Sequence, residues 1–136
     1  MMTDRLFWEK KLQNQRFISY AIVDGAPRFS AAGNTFAVVN PASGRVLADV
    51  TACQADDIDA AVTSARAAFR SGAWRGLPPG ERKAALLRLS QLILDNREEL
   101  ALLESASMGK TVNDALNIDI PGAAAGFAWY AESIDK

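Results

Sequence analysis

The stretch Ser107-Met108-Gly109-Lys110-Thr111 (SMGKT) decides the fold, because Gly-Lys-Thr is also how a phosphate-binding loop between a strand and a helix would end. Such a loop needs a second glycine five positions ahead of Gly109, so that successive backbone N–H groups can curl around phosphate oxygens. That position is Glu104, whose carboxylate would repel the anion. The other reading is a joint between helices. Glycine adopts the left-handed conformation that follows a last helical turn without steric penalty. Lys110 would then lie near the negative helix end, and Thr111 with Asp114 three residues on has the shape of a capping box opening the next helix.

The flanking residues favour the joint. Upstream, Leu100, Leu103 and Ser107 mark a helix over 98–107, preceded across Asn96 by a long amphipathic helix from Glu81. In that helix Leu86, Leu89 and Ile93 fall on one face, with Leu92 extending the stripe and Arg82, Lys83, Arg88 and Gln91 towards solvent. Downstream, a helix is expected from Val112 towards the carboxyl terminus. Pro121 lacks an N–H and would clash with the carbonyl of Asn117, so a kink or break costing about 3 kcal/mol is expected near Ile120. Beyond it, Phe127, Trp129, Tyr130 and Ile134 cover more than one face.

Further upstream, Ile58, Ala61, Val62, Ala65 and Phe69 fall on one face of a helix whose first turn carries Asp56, Asp57 and Asp59. Three aspartates raise a metal reading, but no glycine or distal glutamate completes a calcium loop, and carboxylates suit a helix amino terminus without any metal. Gly72, Gly76 and Gly80 in the connector from Ser71 to Gly80 space as small-xxx-small, which means little outside an apolar membrane segment. Before Val50 the pattern is strand-like. Phe17 to Val23 ends at the turn signal Asp24-Gly25, and Thr35 to Val39 and Arg45 to Val50 flank Asn40-Pro41-Ala42-Ser43-Gly44. Two small hairpins are expected, after a short amphipathic helix within residues 4–16 that uses Leu6, Phe7 and Leu12.

Composition excludes several chemistries. With no histidine among 136 residues there is no Ser-His or Cys-His pair, no histidine-ligated zinc and no histidine base. Cys53 is the only cysteine, so no internal disulfide forms and a reduced thiol in a cytoplasmic setting is expected. No basic residue adjoins it in sequence to activate it as a nucleophile. Fifteen basic and sixteen acidic side chains give a net charge of −1 without charge blocks, so nucleic acid and anionic membranes are not expected partners. No apolar run reaches the roughly 20 residues of a membrane span, and the amino terminus lacks a signal-peptide pattern.

Taken together, VNPASGRVLADV (39–50), DDIDAAVTSARAAFRSGAW (56–74), ELALLESASMGK (99–110) and DIPGAAAGFAWYAESIDK (119–136) resemble, in unbroken order, the amino-terminal part of the NAD(P)-dependent aldehyde dehydrogenase superfamily. The DIPGAA and WYAESIDK segments look most like the branch acting on γ-glutamyl-γ-aminobutyraldehyde and other ω-aminoaldehydes. The resemblance implies an α/β fold, here an incomplete dinucleotide-binding domain of two small hairpins and three or four helices, mostly α. Residues 17–136 would form that part, with 1–16 a helical or flexible segment ahead of it.

For the parent enzyme the resemblance implies NAD or NADP and an aldehyde oxidised to a carboxylic acid. In this chain the helices lack the sheet they should pack on, so the face of Leu86, Leu89 and Ile93 and the aromatics from Phe127 to Tyr130 need another partner, and self-association into a homo-oligomer is expected. The family's cysteine nucleophile, glutamate base and dinucleotide-holding groups align with nothing here. Neither Cys53 nor Glu104 stands at a catalytic position of the family. Catalytic, cofactor-binding and metal sites are therefore all expected to be absent, and the chain to be inactive alone with no cofactor bound. The family's structural monovalent cation would use the carbonyl of Val39 and an acidic residue at 107, where this sequence has Ser107. A non-catalytic α+β binding or assembly module is the alternative.

Overall fold

The computed structural model describes residues 5–136, which divide into two compact units. One comprises Phe17–Val39 and Val46–Pro78, the other residues 5–16, Asn40–Arg45 and Pro79–Lys136. The architecture is the expected mixture, mostly α with two separate two-stranded antiparallel sheets.

In the first unit, strands β1 (Ala21–Val23) and β2 (Ala26–Arg28) pair with Val23 opposite Ala26. The turn between them holds both Asp24 (φ 54°) and Gly25 (φ 71°) in the left-handed region, as a tight hairpin with right-handed strand twist requires. The first strand is shorter than its composition suggests: Phe17–Tyr20 lie outside it, although the Ser19 carbonyl accepts from Thr51 N–H at 2.9 Å. Strands β3 (Thr35–Val39) and β4 (Val46–Thr51) pair from Thr35↔Thr51 to Val39↔Val46, with a register irregularity at Val38/Val39. Helix α2 (Ala55–Ser71) ends at Gly72 in the left-handed conformation (φ 76°). It buries the side of Asp57 and half-buries Ala60, Ala61 and Ser64. Its larger apolar residues, which share one face, are exposed: Ile58 by 54%, Val62 by 41% and Phe69 by 67%.

The second unit is helical. Helix α1 (Arg5–Gln13) lies against α4 (Arg97–Met108), with Trp8 buried, Lys11 Nζ 2.6 Å from Glu98 Oε2 and Gln15 Nε2 3.1 Å from Glu99 Oε1. Helix α3 (Pro79–Asp95) stops before Asn96, whose side-chain amide donates to the Leu92 carbonyl at 2.8 Å, and α4 starts immediately after it.

The interior of this unit is built from alanine. Ala101, Ala115, Ala124 and Ala131 are essentially inaccessible, with Leu102 and Ala106 beside them. Such small side chains let helix backbones approach closely. On α3 the residue turned furthest inward is Ser90, which donates to the Ala124 carbonyl at 2.8 Å, whereas Leu89 is exposed. On α4 the buried stripe is Ala101, Leu102 and Ala106, not the expected Leu100, Leu103 and Ser107. Lys83, expected in solvent, is drawn onto Glu132 (2.7 Å) and Asp135 (3.1 Å), and both contacts raise its pKa.

Of the kink or break expected near Ile120, the chain is not broken, but its hydrogen-bond pattern departs from α just before Pro121. Helical hydrogen bonding continues through α5 (Val112–Asp114), a π-helical turn (Ala115–Asp119) and α6 (Ile120–Ser133). Ile120 N–H reaches back five residues to the Ala115 carbonyl. Widening that turn changes which carbonyls the helix calls on just where proline's missing N–H and bulky ring would disrupt the regular pattern.

Candidate functional site

The joint at Ser107–Thr111 has the helix-stop, helix-start geometry. Gly109 closes α4 at φ 76°, its N–H bonded to the Ser105 carbonyl at 3.0 Å, while Ser105 Oγ donates to the Lys110 carbonyl at 2.7 Å. Thr111 caps the next helix, its hydroxyl accepting from Asp114 N–H at 3.3 Å. The carbonyl end of α4 therefore points into this loop, the wrong polarity for an anion. Lys110 is committed to Asp119, 2.5 Å away across the π turn, a contact that raises the lysine pKa.

Glycine at 109 answers a second demand. A Cβ built there would sit 2.7 Å from Pro41 Cγ. The loop carrying Pro41 is set by Asn40, whose N–H donates to the Arg45 carbonyl and whose side-chain oxygen accepts from Ala42 N–H, both at 2.9 Å. Around this contact lies a cleft of about 380 Å³, with Trp8, Leu12, Leu102, Ala106 and Val112 contributing its apolar lining and Lys110 a charged edge. Arg5 and Glu9, paired at 2.6 Å one turn apart on α1, also line it. Sequence reading found Gly109 through its helix end, but the proximity of Pro41 left no local signal.

The three aspartates separate by role. Asp56 and Asp59 are exposed, while Asp57 is 2% exposed and is the largest fully buried side chain among the described residues. Its Oδ2 accepts from Gln54 N–H at 3.0 Å, the acidic half of a capping box, and its Oδ1 from Arg28 Nε at 3.1 Å. The Gln54 N–H, joined by the Arg28 guanidinium, holds the carboxyl below its ordinary value, against the opposing effect of desolvation. Asp57 thus fastens the start of α2 to β2. This pairing spans 29 residues of sequence, and nothing local announces it.

The remaining candidates do not converge on a reacting centre. Cys53 is half-buried between β4 and α2, and Glu104 is half-buried within α4. Gly72 and Gly76 are tied by a hydrogen bond from Gly76 N–H to the Gly72 carbonyl, and a Cβ on Gly76 would strike that oxygen at 2.7 Å, so their spacing serves the connector. Val39 ends β3, and Ser107 is exposed with its hydroxyl turned back onto the Leu103 carbonyl at 2.8 Å. Among the described residues no group of three or more histidine, cysteine, aspartate or glutamate side chains is placed to hold a metal, and no helix is long and apolar enough to cross a membrane.

Comparison with known proteins supplies what the geometry does not. Residues 29–136 match the family described as "Aldehyde dehydrogenase family". The chain is 47% identical over 116 residues to an aminoacetaldehyde dehydrogenase of Pseudomonas aeruginosa, covering 85% of this chain and 23% of that protein. It is 38% identical over 130 residues to an NADP/NAD-dependent aldehyde dehydrogenase of Escherichia coli, covering 96% and 26%.

Among solved structures, an indole-3-acetaldehyde dehydrogenase of P. syringae in complex with NAD+ superposes with a TM-score of 0.95 at 45% identity, over 98% of this chain and 27% of that one. A γ-glutamyl-γ-aminobutyraldehyde dehydrogenase from Burkholderia cenocepacia gives 0.93 at 44%, over 96% and 27%. The chain spans about a quarter of the length of these relatives. With residues 29–136 matching the family model and 98% of the chain superposing on such an enzyme, the chain belongs to the aldehyde dehydrogenase family.

Proposed function

We propose that the chain is the amino-terminal portion of an NAD(P)-dependent aldehyde dehydrogenase, a homo-oligomeric cytoplasmic enzyme that oxidises an aldehyde to a carboxylic acid. Residues 17–136 would contribute the opening of its dinucleotide-binding domain, with 1–16 leading into it. The observation that carries this is the superposition of 98% of the chain on an NAD+-bound aldehyde dehydrogenase at 45% identity. The ω-aminoaldehyde class is the preferred substrate, supported by 47% identity to the aminoacetaldehyde enzyme and 44% to the γ-glutamyl-γ-aminobutyraldehyde enzyme.

The chain by itself would turn nothing over, since the family's cysteine nucleophile and glutamate base align with none of its residues. Two measurements test the reading. Joined to the complementary region of the family, the chain should support NAD(P)H formation from an ω-aminoaldehyde faster than from an indolic or simple aliphatic aldehyde. The isolated chain should give none. Preference for the indolic aldehyde would overturn the substrate class, and turnover by the isolated chain would overturn the claim that it is inert.

A further inference from the structure

The carboxyl-terminal end of α2 and the turn that follows it gather positive charge that the near-neutral balance of the whole chain conceals. Between Asp59 and Glu81 the sequence holds Arg66, Arg70 and Arg75 and no acidic residue. Phe69 and Arg70 lie three and four residues beyond Arg66, so the three share one face of the helix. Arg75 joins them, because its guanidinium lies over the Phe69 ring at 5.3 Å. All three arginines are exposed, and none pairs with a carboxylate among the described residues.

Nor are these cations spent on the end of the helix. The Ser71 hydroxyl donates to the Ala68 carbonyl at 2.7 Å and Gly72 N–H to the Phe69 carbonyl at 3.4 Å, so those two terminal carbonyls are met without them. The turn carrying Trp74 and Arg75 is itself closed: Gly76 N–H donates to the Gly72 carbonyl at 2.7 Å and Leu77 N–H to the Trp74 carbonyl at 3.1 Å. Trp74 is 49% exposed. Two exposed rings and three unpaired guanidinium groups therefore stand together on a hydrogen-bonded stretch of backbone.

We propose that Arg66, Phe69, Arg70, Trp74 and Arg75 form a docking face for single-stranded nucleic acid. The unopposed positive charge selects a polyanion, and the rings select among polyanions. An acidic peptide would engage the arginines alone. A single strand also supplies unstacked bases, which can lie on Trp74 and on the Arg75 guanidinium that Phe69 backs. A duplex keeps its bases in the stack and offers these groups only phosphate. The exposed Trp129 and Tyr130 of α6 do not qualify, since the charge beside them is Glu132, three residues from Trp129.

The test titrates the full chain into a fluorescein-labelled oligothymidylate of about 12 nucleotides and follows anisotropy as salt is varied. Three phosphate contacts predict a slope of about −2 in log K against log salt, a roughly twenty-fold loss of affinity on going from about 50 to about 200 mM. Arg66→Gln, Arg70→Gln and Arg75→Gln should each flatten that slope by about 0.7. Trp74→Ala should weaken binding by about five-fold or more and leave the slope unchanged, which separates stacking from charge. Trp129→Ala should alter neither.

The arginine variants should match wild type in circular dichroism, since their side chains are exposed. If Trp74→Ala unfolds, Trp74→Leu carries the stacking comparison. Absence of binding by the wild-type chain at about 50 mM salt would overturn the proposal. So would undiminished binding by the folded arginine or Trp74 variants, or equal affinity for an oligothymidylate–oligoadenylate duplex. Displacement of the strand by polyglutamate as effectively as by unlabelled oligothymidylate would overturn it in favour of an acidic peptide.

Discussion

Replacing Gly109 by alanine separates two physical demands made on one residue. The first is conformational: at φ 76° an L-residue places its Cβ against its own backbone, at a cost of about 1–2 kcal/mol. The second is steric, because the new methyl would lie 2.7 Å from Pro41 Cγ. Carbon atoms pack best at roughly 3.5–4.0 Å, so about 1 Å must be found by moving either a proline ring or a helix end. Overpacking of this kind costs about 1–3 kcal/mol, bringing the expected loss for Gly109→Ala to roughly 2–5 kcal/mol.

Urea unfolding of the chain, followed through fluorescence including that of buried Trp8, measures the loss. A double-mutant cycle with Pro41→Ala then divides it. Removing Cγ leaves the proline-ring Cβ position, 3.5 Å from the added methyl, which is ordinary contact. The pair should therefore recover about 1–3 kcal/mol, the steric part alone. Gly109→Asn, which tolerates the left-handed conformation but keeps a Cβ, should retain the steric loss and little of the other. A cost for Gly109→Ala within about 0.5 kcal/mol of wild type, or a cycle with no recovery, would refute this account.

Two further outcomes follow from the packing and the charges. Ala131→Leu adds three carbons at a fully inaccessible position in α6 and should destabilise the chain by about 1–3 kcal/mol in thermal or urea unfolding, whereas Ala125→Leu, at an exposed position of the same helix, should be nearly neutral. Asp57 has its pKa lowered in the folded state, so the stability it supplies is present above the ordinary carboxylate range and is lost as pH falls below about pH 4 and through its folded value. Asp57→Asn should accordingly be less stable at neutral pH and lose less stability on acidification, a difference that acid titration of unfolding midpoints would register.

What could be read from sequence depended on how local its cause was. The Asp24-Gly25 turn, the limits of β3 and the glycine that ends α4 each follow from residues within a few positions, and each stands as expected. The inward faces of the helices are less legible. Hydrophobic periodicity points to the largest apolar side chains, and here close helix packing is made by alanines and Ser90 while Leu89, Val62 and Phe69 remain outside. Pro121 signals an irregularity near Ile120, but not its form, a rewired hydrogen-bond pattern in place of a break. At the candidate site, Gly109 and Thr111 were legible. The Pro41 contact and the Arg28 partner of Asp57 were not, because both come from distant sequence and obey no spacing rule.

The π-helical turn has a consequence for phase. A turn closed by five-residue bonds holds one residue more than an α-turn, and that extra residue rotates everything after it by about 100° around the helix axis. Downstream of this offset the alanines at 124 and 131 are buried. Without the added residue, the same downstream sequence would present a different side to its neighbours, and its small-residue stripe would no longer be in register with them. One residue within 115–119 acts as an angular spacer: it sets the azimuth of a whole helix while leaving its length almost unchanged.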